Sequence, residues 1–286
     1  MASMQDIRRR AKSVRNIEQI TRAMKMVSAA KLRRAQNTLF AARPYADKME
    51  AVLRRLGGRT DTSLHPLLAS REVKRTGFVI ITSDRGLAGG FSANVIRTAE
   101  QAMKQYPREE IALVTVGRKG RDYFKRRNYE IIGDFVGLGE EIQFSQAHTI
   151  SESIIALYQG GLLDEIYLVY PQFVSTVTQR QTVTLLLPMQ PPAAEKTGAA
   201  EAEYLFEPTP EAVLDSLLPR YVATLVYRAL LESKASEHGA RMAAMDAATK
   251  NAEELIKELT LSFNRARQAA ITREISEIVG GAEALK

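Results

Sequence analysis

Residues 235–270 read ASEHGARMAAMDAATKNAEELIKELTLSFNRARQAA, and one stripe within that stretch decides the fold. Ala235, His238, Met242, Met245, Thr249, Ala252, Ile256, Leu259, Phe263, Ala266 and Ala270 follow one another at steps of three and four without a slip. That spacing predicts a helix buried along one seam, as in a coiled coil. Most of these side chains are Ala, Met or Thr, so the seam is narrow and its partner helix should lie close. Upstream, Val213, Leu217, Tyr221 and Leu225 open an apolar face. From Tyr221 to Val279 the only Gly or Pro is Gly239. At 1.5 Å per residue, some 70 helical residues would extend roughly 105 Å.

The opposite end of the chain gives a matching signal. Ile7, Ala11, Val14, Ile17, Ile20, Met24, Val27 and Ala30 recur at steps of three or four. After a small phase shift the pattern resumes at Leu32, Ala35, Leu39, Ala42, Ala46, Met49, Leu53 and Leu56. Pro44 predicts a kink or short break, and Gly57-Gly58 a stop.

Between the arms the period changes to two. Residues 77–82 and 111–116 are short apolar runs suited to buried parallel strands. Helical stretches follow at 92–105 and 119–127, another is expected over 142–159, and further strands over 165–170 and 176–187. Ser92 is the expected N-cap of the first of these helices. Such alternation predicts a Rossmann-like α/β unit. The expected organisation is an N-terminal coiled-coil helix at 1–57, a linker at 58–75, and a central α/β domain at 76–190. An exposed loop follows at 191–208, then a C-terminal coiled-coil helix at 209–286. Neither arm can bury its stripe alone, so the fold class is α/β plus a long antiparallel coiled coil. The terminal helices pair as a rod, with the α/β domain at one end.

Composition narrows the chemistry. The 286 residues contain no cysteine, which excludes disulfides, thiolate metal sites and a cysteine nucleophile. No apolar run reaches the roughly 18 residues of a membrane span. No secretory signal opens the chain, so an intracellular setting is expected. The net charge is +7, and residues 1–34 account for all of it, with ten basic side chains against two acidic ones. A charge so localised speaks to an acidic partner.

The stretch Ile81-Thr82-Ser83-Asp84-Arg85-Gly86-Leu87-Ala88-Gly89-Gly90-Phe91-Ser92 suggests phosphate binding at a helix N-terminus. Yet it lacks GxGxxG and G-K-[ST], and a tight strand-to-helix connection explains it better. His65, His148 and His238 lie far apart without metal-ligand spacing. The acidic pairs Glu109-Glu110, Glu140-Glu141 and Glu253-Glu254 read as solvated surface. Arg8, Lys12, Arg15 and Arg22 form a basic stripe, but Phe40 and Tyr45 are the only aromatics of residues 1–59, too few for base stacking. Two alternatives remain: a nucleotide-binding α/β enzyme and a nucleic-acid-binding coiled coil. A protein partner is favoured over nucleic acid, and neither a cofactor nor a catalytic set is expected.

Four segments carry a resemblance to a known family. Ile7 to Leu32, Ser83 to Gly90, Ala235 to Met245, and Arg267 to Glu274 with Gly281 to Leu285 resemble the γ subunit of F-type ATP synthase. The resemblance spans the chain and points to a bacterial form. Ala88 stands where that family usually carries cysteine.

The resemblance implies a non-catalytic rotor shaft that couples proton- or sodium-driven c-ring rotation to conformational cycling of the catalytic β subunits. Its implied partners are the α and β subunits of the α3β3 ring, the ε subunit and the c-ring. The complex would hold it peripherally at the cytoplasmic face of the bacterial cell membrane. Arg267 and Gln268 are expected to meet a catch loop on β. Lys25, Lys31, Arg33, Arg34, Arg241 and the loop at Ala88 are expected to face the acidic lever of β. Tyr204, Leu205, Phe206 and Glu207 are expected in the foot that faces ε and the c-ring, and Ile278 to Leu285 in an apolar sleeve.

Overall fold

The computed structural model describes residues 4–57, 65–176, 178–189 and 209–283. In chain order the elements are α1 (Met4–Gly57), β1 (Thr76–Ile81), α2 (Phe91–Met103), β2 (Ile111–Val116), α3 (Arg118–Arg126), β3 (Ile131–Phe135), α4 (Phe144–Gln159), β4 (Glu165–Phe173), β5 (Gln179–Leu187) and α5 (Pro210–Glu283). They form two compact units. One comprises Met1–Ala29 with Arg241–Lys286, the other Ala30–Ala240.

The larger unit is built on a five-stranded sheet of order β3-β2-β1-β4-β5. Its first four strands run parallel, and β5 pairs antiparallel with β4. Strands β1 and β2 are buried at every residue, as expected when both sheet faces are covered. Side chains alternate between two cores. Phe78, Ile80, Leu113 and Val169 pack with α2 and α3. Val79, Ile81, Val114, Val116 and Leu168 pack with α4 and with the parts of α1 and α5 belonging to this unit, through Leu39, Met49, Leu53, Leu218, Val222 and Val226. Full burial of each such aliphatic side chain is worth about 1.5–3 kcal/mol, which is why these helical segments stay on the sheet.

In the smaller unit α1 and α5 run antiparallel. Partner residue numbers fall along α5 as they rise along α1. Arg22 reaches Glu253 at 2.8 Å and Lys25 reaches Asp246 at 2.6 Å. The seam residues Met245, Thr249 and Ala252 are buried, and Met242, Ile256, Leu259, Phe263, Ala266 and Ala270 half-buried, so the stripe over residues 242–270 is the one in use. From Ile271 to Ala282 every α5 residue is exposed.

Five expectations need correction. Helix α1 does not break at Pro44 but continues through it. Pro44 is exposed, so water can satisfy the Phe40 carbonyl. Burial of Leu39, Met49 and Leu53 outweighs the roughly 3 kcal/mol an internal proline costs. The α1 seam has no phase shift: positions 7, 11, 14, 18, 21, 25, 28, 32, 35, 39, 42, 46, 49 and 53 are all buried or half-buried. Ile17, Ile20 and Val27 instead face outward, at 52%, 58% and 54% exposure. On α5 the most buried row is Leu214, Leu218, Val222 and Val226, one residue beyond the expected face. Helix α2 is capped at Gly90, and Ser92 lies inside it. Finally, β3 was not expected; it is a half-exposed edge strand interrupted by Gly133, so it lacks the apolar run of the inner strands.

Candidate partner-docking surface

The glycine-rich turn after β1 is committed to its own chain. Three backbone N–H groups opening α3 are filled from it. Arg118 N–H donates to Asp84 Oδ1 at 2.9 Å, Lys119 N–H to the Ser83 carbonyl at 3.0 Å, and Gly120 N–H to Thr82 Oγ1 at 2.9 Å. Asp84 Oδ2 also accepts from Gly137 N–H at 3.0 Å, which ties in the β3–α4 loop. In a doubly wound sheet a ligand binds at the carboxyl ends of the strands. Here that crevice is filled by Leu230, Ser233, Lys234 and Glu237 of α5, leaving about 20 Å³, room for about one water molecule. A nucleotide does not fit there. The turn presents Leu87 outward at 64% exposure, with φ +62°, while Ala88 is buried beneath it at 5%.

Beside the turn lies a cleft of about 470 Å³ between α1, α5 and residues 140–143, with Lys31, Arg34, Lys234 and His238 on its walls. Its centre is Glu140. Oε1 of Glu140 lies 3.0 Å from Lys31 Nζ and 3.8 Å from an Arg85 guanidinium nitrogen, and Oε2 lies 3.5 Å from His238 Nε2. Burial raises the Glu140 pKa, but the Lys31 hydrogen bond and the charges of Lys31, Lys234 and His238 outweigh it. The carboxyl therefore titrates below its usual range. Glu140 was expected to be solvated surface, and its role at this centre left no trace in sequence, because its partners come from three distant segments.

Of the candidate docking residues, the structure brings Lys31, Arg34 and the turn carrying Ala88 together around this cleft. Arg33 is exposed on α1. Lys25 belongs to the smaller unit and is engaged with Asp246. Arg241 is half-buried on α5, and Arg267 and Gln268 are exposed farther along it. Tyr204, Leu205, Phe206 and Glu207 lie outside the described residues. The smaller unit adds an exposed apolar surface: Ile17, Ile20, Met26 and Val27 on α1, and Leu261, Ile271, Ile275, Ile278 and Val279 on α5, are all at least 48% exposed, and of these the periodicity had assigned Ile17, Ile20 and Val27 to the interior. Apolar side chains in such number on a helix pair mark an interaction surface. Among the described residues no helix is long and apolar enough to cross a membrane.

A family model described as ATP synthase matches residues 3–285. The chain is 57% identical over 286 residues to the ATP synthase gamma chain of Desulforamulus reducens, with all of both chains covered. It is 54% identical to that of Heliobacterium modesticaldum, again with full coverage of both. This chain belongs to the ATP synthase gamma chain family. Among solved structures, a chain of the Tetrahymena thermophila mitochondrial ATP synthase central stalk and c-ring aligns with a TM-score of 0.61 at 28% identity. That alignment covers 80% of this chain and 99% of the other. A chain of the Euglena gracilis mitochondrial ATP synthase shares the fold, with a TM-score of 0.70 at 18% identity over 99% of this chain and 94% of the other. Family membership gives the exposed apolar face and the basic cleft a common reading, as surfaces of one chain within a larger assembly.

Proposed function

We propose that this chain is the central rotor shaft of an ATP synthase, turning within a ring of three α and three β subunits. Ion-driven rotation of a c-ring, by protons or sodium, would push each β subunit through its conformations in sequence. ATP chemistry would take place on β, and this chain would be non-catalytic. The observation that carries the reading is full-length family membership, together with helices whose pairing in the smaller unit leaves apolar side chains facing outward. The filled crevice at the sheet's carboxyl end argues against the nucleotide-binding alternative.

In this reading Arg267 and Gln268 meet the catch loop of β. Lys25, Lys31, Arg33, Arg34 and Arg241 present positive charge to the acidic lever of β, and the turn over Ala88 meets it through Leu87. An isolated exposed ion pair contributes about 0–1 kcal/mol, so docking is distributed over many contacts. Tyr204 to Glu207 belong to the foot facing ε and the c-ring, and the complex sits at the cytoplasmic face of a bacterial membrane. Assembly of α3β3 with and without the chain tests this. Cooperative, sustained ATP hydrolysis should require the chain; equal cooperative turnover in its absence would defeat the proposal.

A further inference from the structure

The cleft around Glu140 carries an inference that rests on the lever reading and goes beyond it. Lys31, Arg85 and His238, from α1, the turn after β1 and α5, lie within 3.8 Å of one carboxylate contributed by their own chain, and Lys234, itself paired with Glu237 at 3.4 Å, adds its charge nearby. The lysine and arginine charges converging on a cleft of about 470 Å³ are what an acidic partner segment requires. In the chain by itself a loop glutamate fills that place.

The loop is anchored on both sides of this one side chain. It is pinned by the Gly137 N–H bond to Asp84, by the Gln146 side-chain amide donating to the Leu138 carbonyl at 2.9 Å, and by Ile142, which is buried. Gly137 at the first anchor and Gly139 after it sit at φ +73° and +83°, with open space where a Cβ would project. Glu140 follows Gly139 directly and is 43% exposed. Its pairs are partly solvated, so exchanging them for another carboxylate costs little.

We infer that Glu140 is an internal stand-in for a carboxylate of the docking partner. It neutralises the Lys31 cleft in the free chain and competes with the partner's acidic segment for the same cations. Docking is then an exchange of carboxylates, and Glu140 moderates how tightly the lever holds.

The test titrates full-length chain into α3β3 and reads the concentration at half-maximal cooperative ATP hydrolysis. Glu140→Gln keeps the shape and removes the competing charge. It should lower that concentration about two- to fivefold, the range set by a partly exposed ion pair. Glu140→Asp, too short to reach Lys31 without moving the loop, should shift it the same way and guards against a folding defect peculiar to the amide. In a Lys31→Gln background Glu140→Gln should have a smaller effect, because Lys31 makes the shortest of the Glu140 pairs while Arg85 and Lys234 remain. If Lys31→Gln weakens assembly but neither Glu140 variant strengthens it, Glu140 is a structural clamp and the inference fails while the lever reading stands. If Lys31→Gln and Lys31→Gln/Arg34→Gln both titrate like the wild type, the lever reading fails and takes the inference with it.

Discussion

The hydroxyl of Thr21 on α1 lies 2.8 Å from that of Thr249 on α5, both buried in the seam of the smaller unit. Each hydroxyl also has a carbonyl of its own helix within reach of its single proton, Glu18 for Thr21 and Met245 for Thr249, so neither depends wholly on the other. Thr249→Val should therefore cost only about 0.5–1.5 kcal/mol. The double variant Thr21→Val/Thr249→Val should recover part of that loss, because no polar group is left facing an apolar one. Thermal unfolding of the wild type, both single variants and the double variant reads this coupling. Strict additivity of the two losses would contradict it.

Three residues before Thr249 on α5, Asp246 takes a hydrogen bond from Lys25 at 2.6 Å and lies 3.0 Å from Lys250. The Lys25 hydrogen bond is the main reason its pKa falls below the ordinary 3.8; the Lys250 hydrogen bond and the charges of both lysines add to it, and desolvation opposes them. A carboxyl depressed in the folded state binds fewer protons folded than unfolded. Its contribution is present above the ordinary value and lost as pH falls through the folded one. Asp246→Asn should flatten that acid limb, so the difference between variant and wild type narrows below about pH 4. Equilibrium unfolding at a series of pH values checks it, and a constant difference across the series would rule it out.

Gly117, at φ +96°, leaves β2 so close to β1 that an added Cβ would stand 2.2 Å from the Thr82 carbonyl oxygen. Backbone cannot yield there as a side-chain tip could, and the positive φ adds strain for any other residue. Gly117→Ala should destabilise the larger unit by about 4 kcal/mol or more, among the largest effects a single substitution produces. Asp84→Ala should cost less, about 1–2 kcal/mol, through loss of the α3 cap and the bond to Gly137. Reversal of that order in denaturant titrations would show that the turn is held differently.

The α5 stripe from Met242 to Ala270 was legible because its apolar residues are the ones that pack. In α1 the same rule misled. Ile17, Ile20 and Val27 look like core, yet the seam takes Glu18, Thr21, Lys25 and Ser28. Across it Thr21 meets Thr249 and Lys25 meets Asp246. Periodicity reports where apolar side chains recur, not which recurring set faces a partner helix and which faces another protein. The inner strands β1 and β2 announced themselves as apolar runs, whereas β3 is held by its parallel pairing with β2 despite Gly133 and half-exposed side chains. The basic half of the docking cleft was visible in Lys31 and Arg34. Its acidic centre was not, because Glu140 acquires meaning only when Lys31, Arg85 and His238 are folded around it.

The misread residues supply the most direct test of the shaft reading. Ile17, Ile20 and Val27 make no use of the α1–α5 seam and are more than half exposed. Ile17→Ser/Ile20→Ser/Val27→Ser should therefore leave the isolated chain's stability within about 0.5 kcal/mol per site. In an assembled α3β3 complex the same side chains would be covered, and each exposed aliphatic group withdrawn from water contributes about 25 cal/mol per Å². The triple variant should then need at least about tenfold more chain to restore cooperative hydrolysis, since about 1.4 kcal/mol of lost burial already gives that factor. Circular dichroism melts alongside the reconstitution titration separate the two effects. An unchanged titration with an unchanged melt would mean that this face is not covered in the ring, and the outward apolar row would need a different partner.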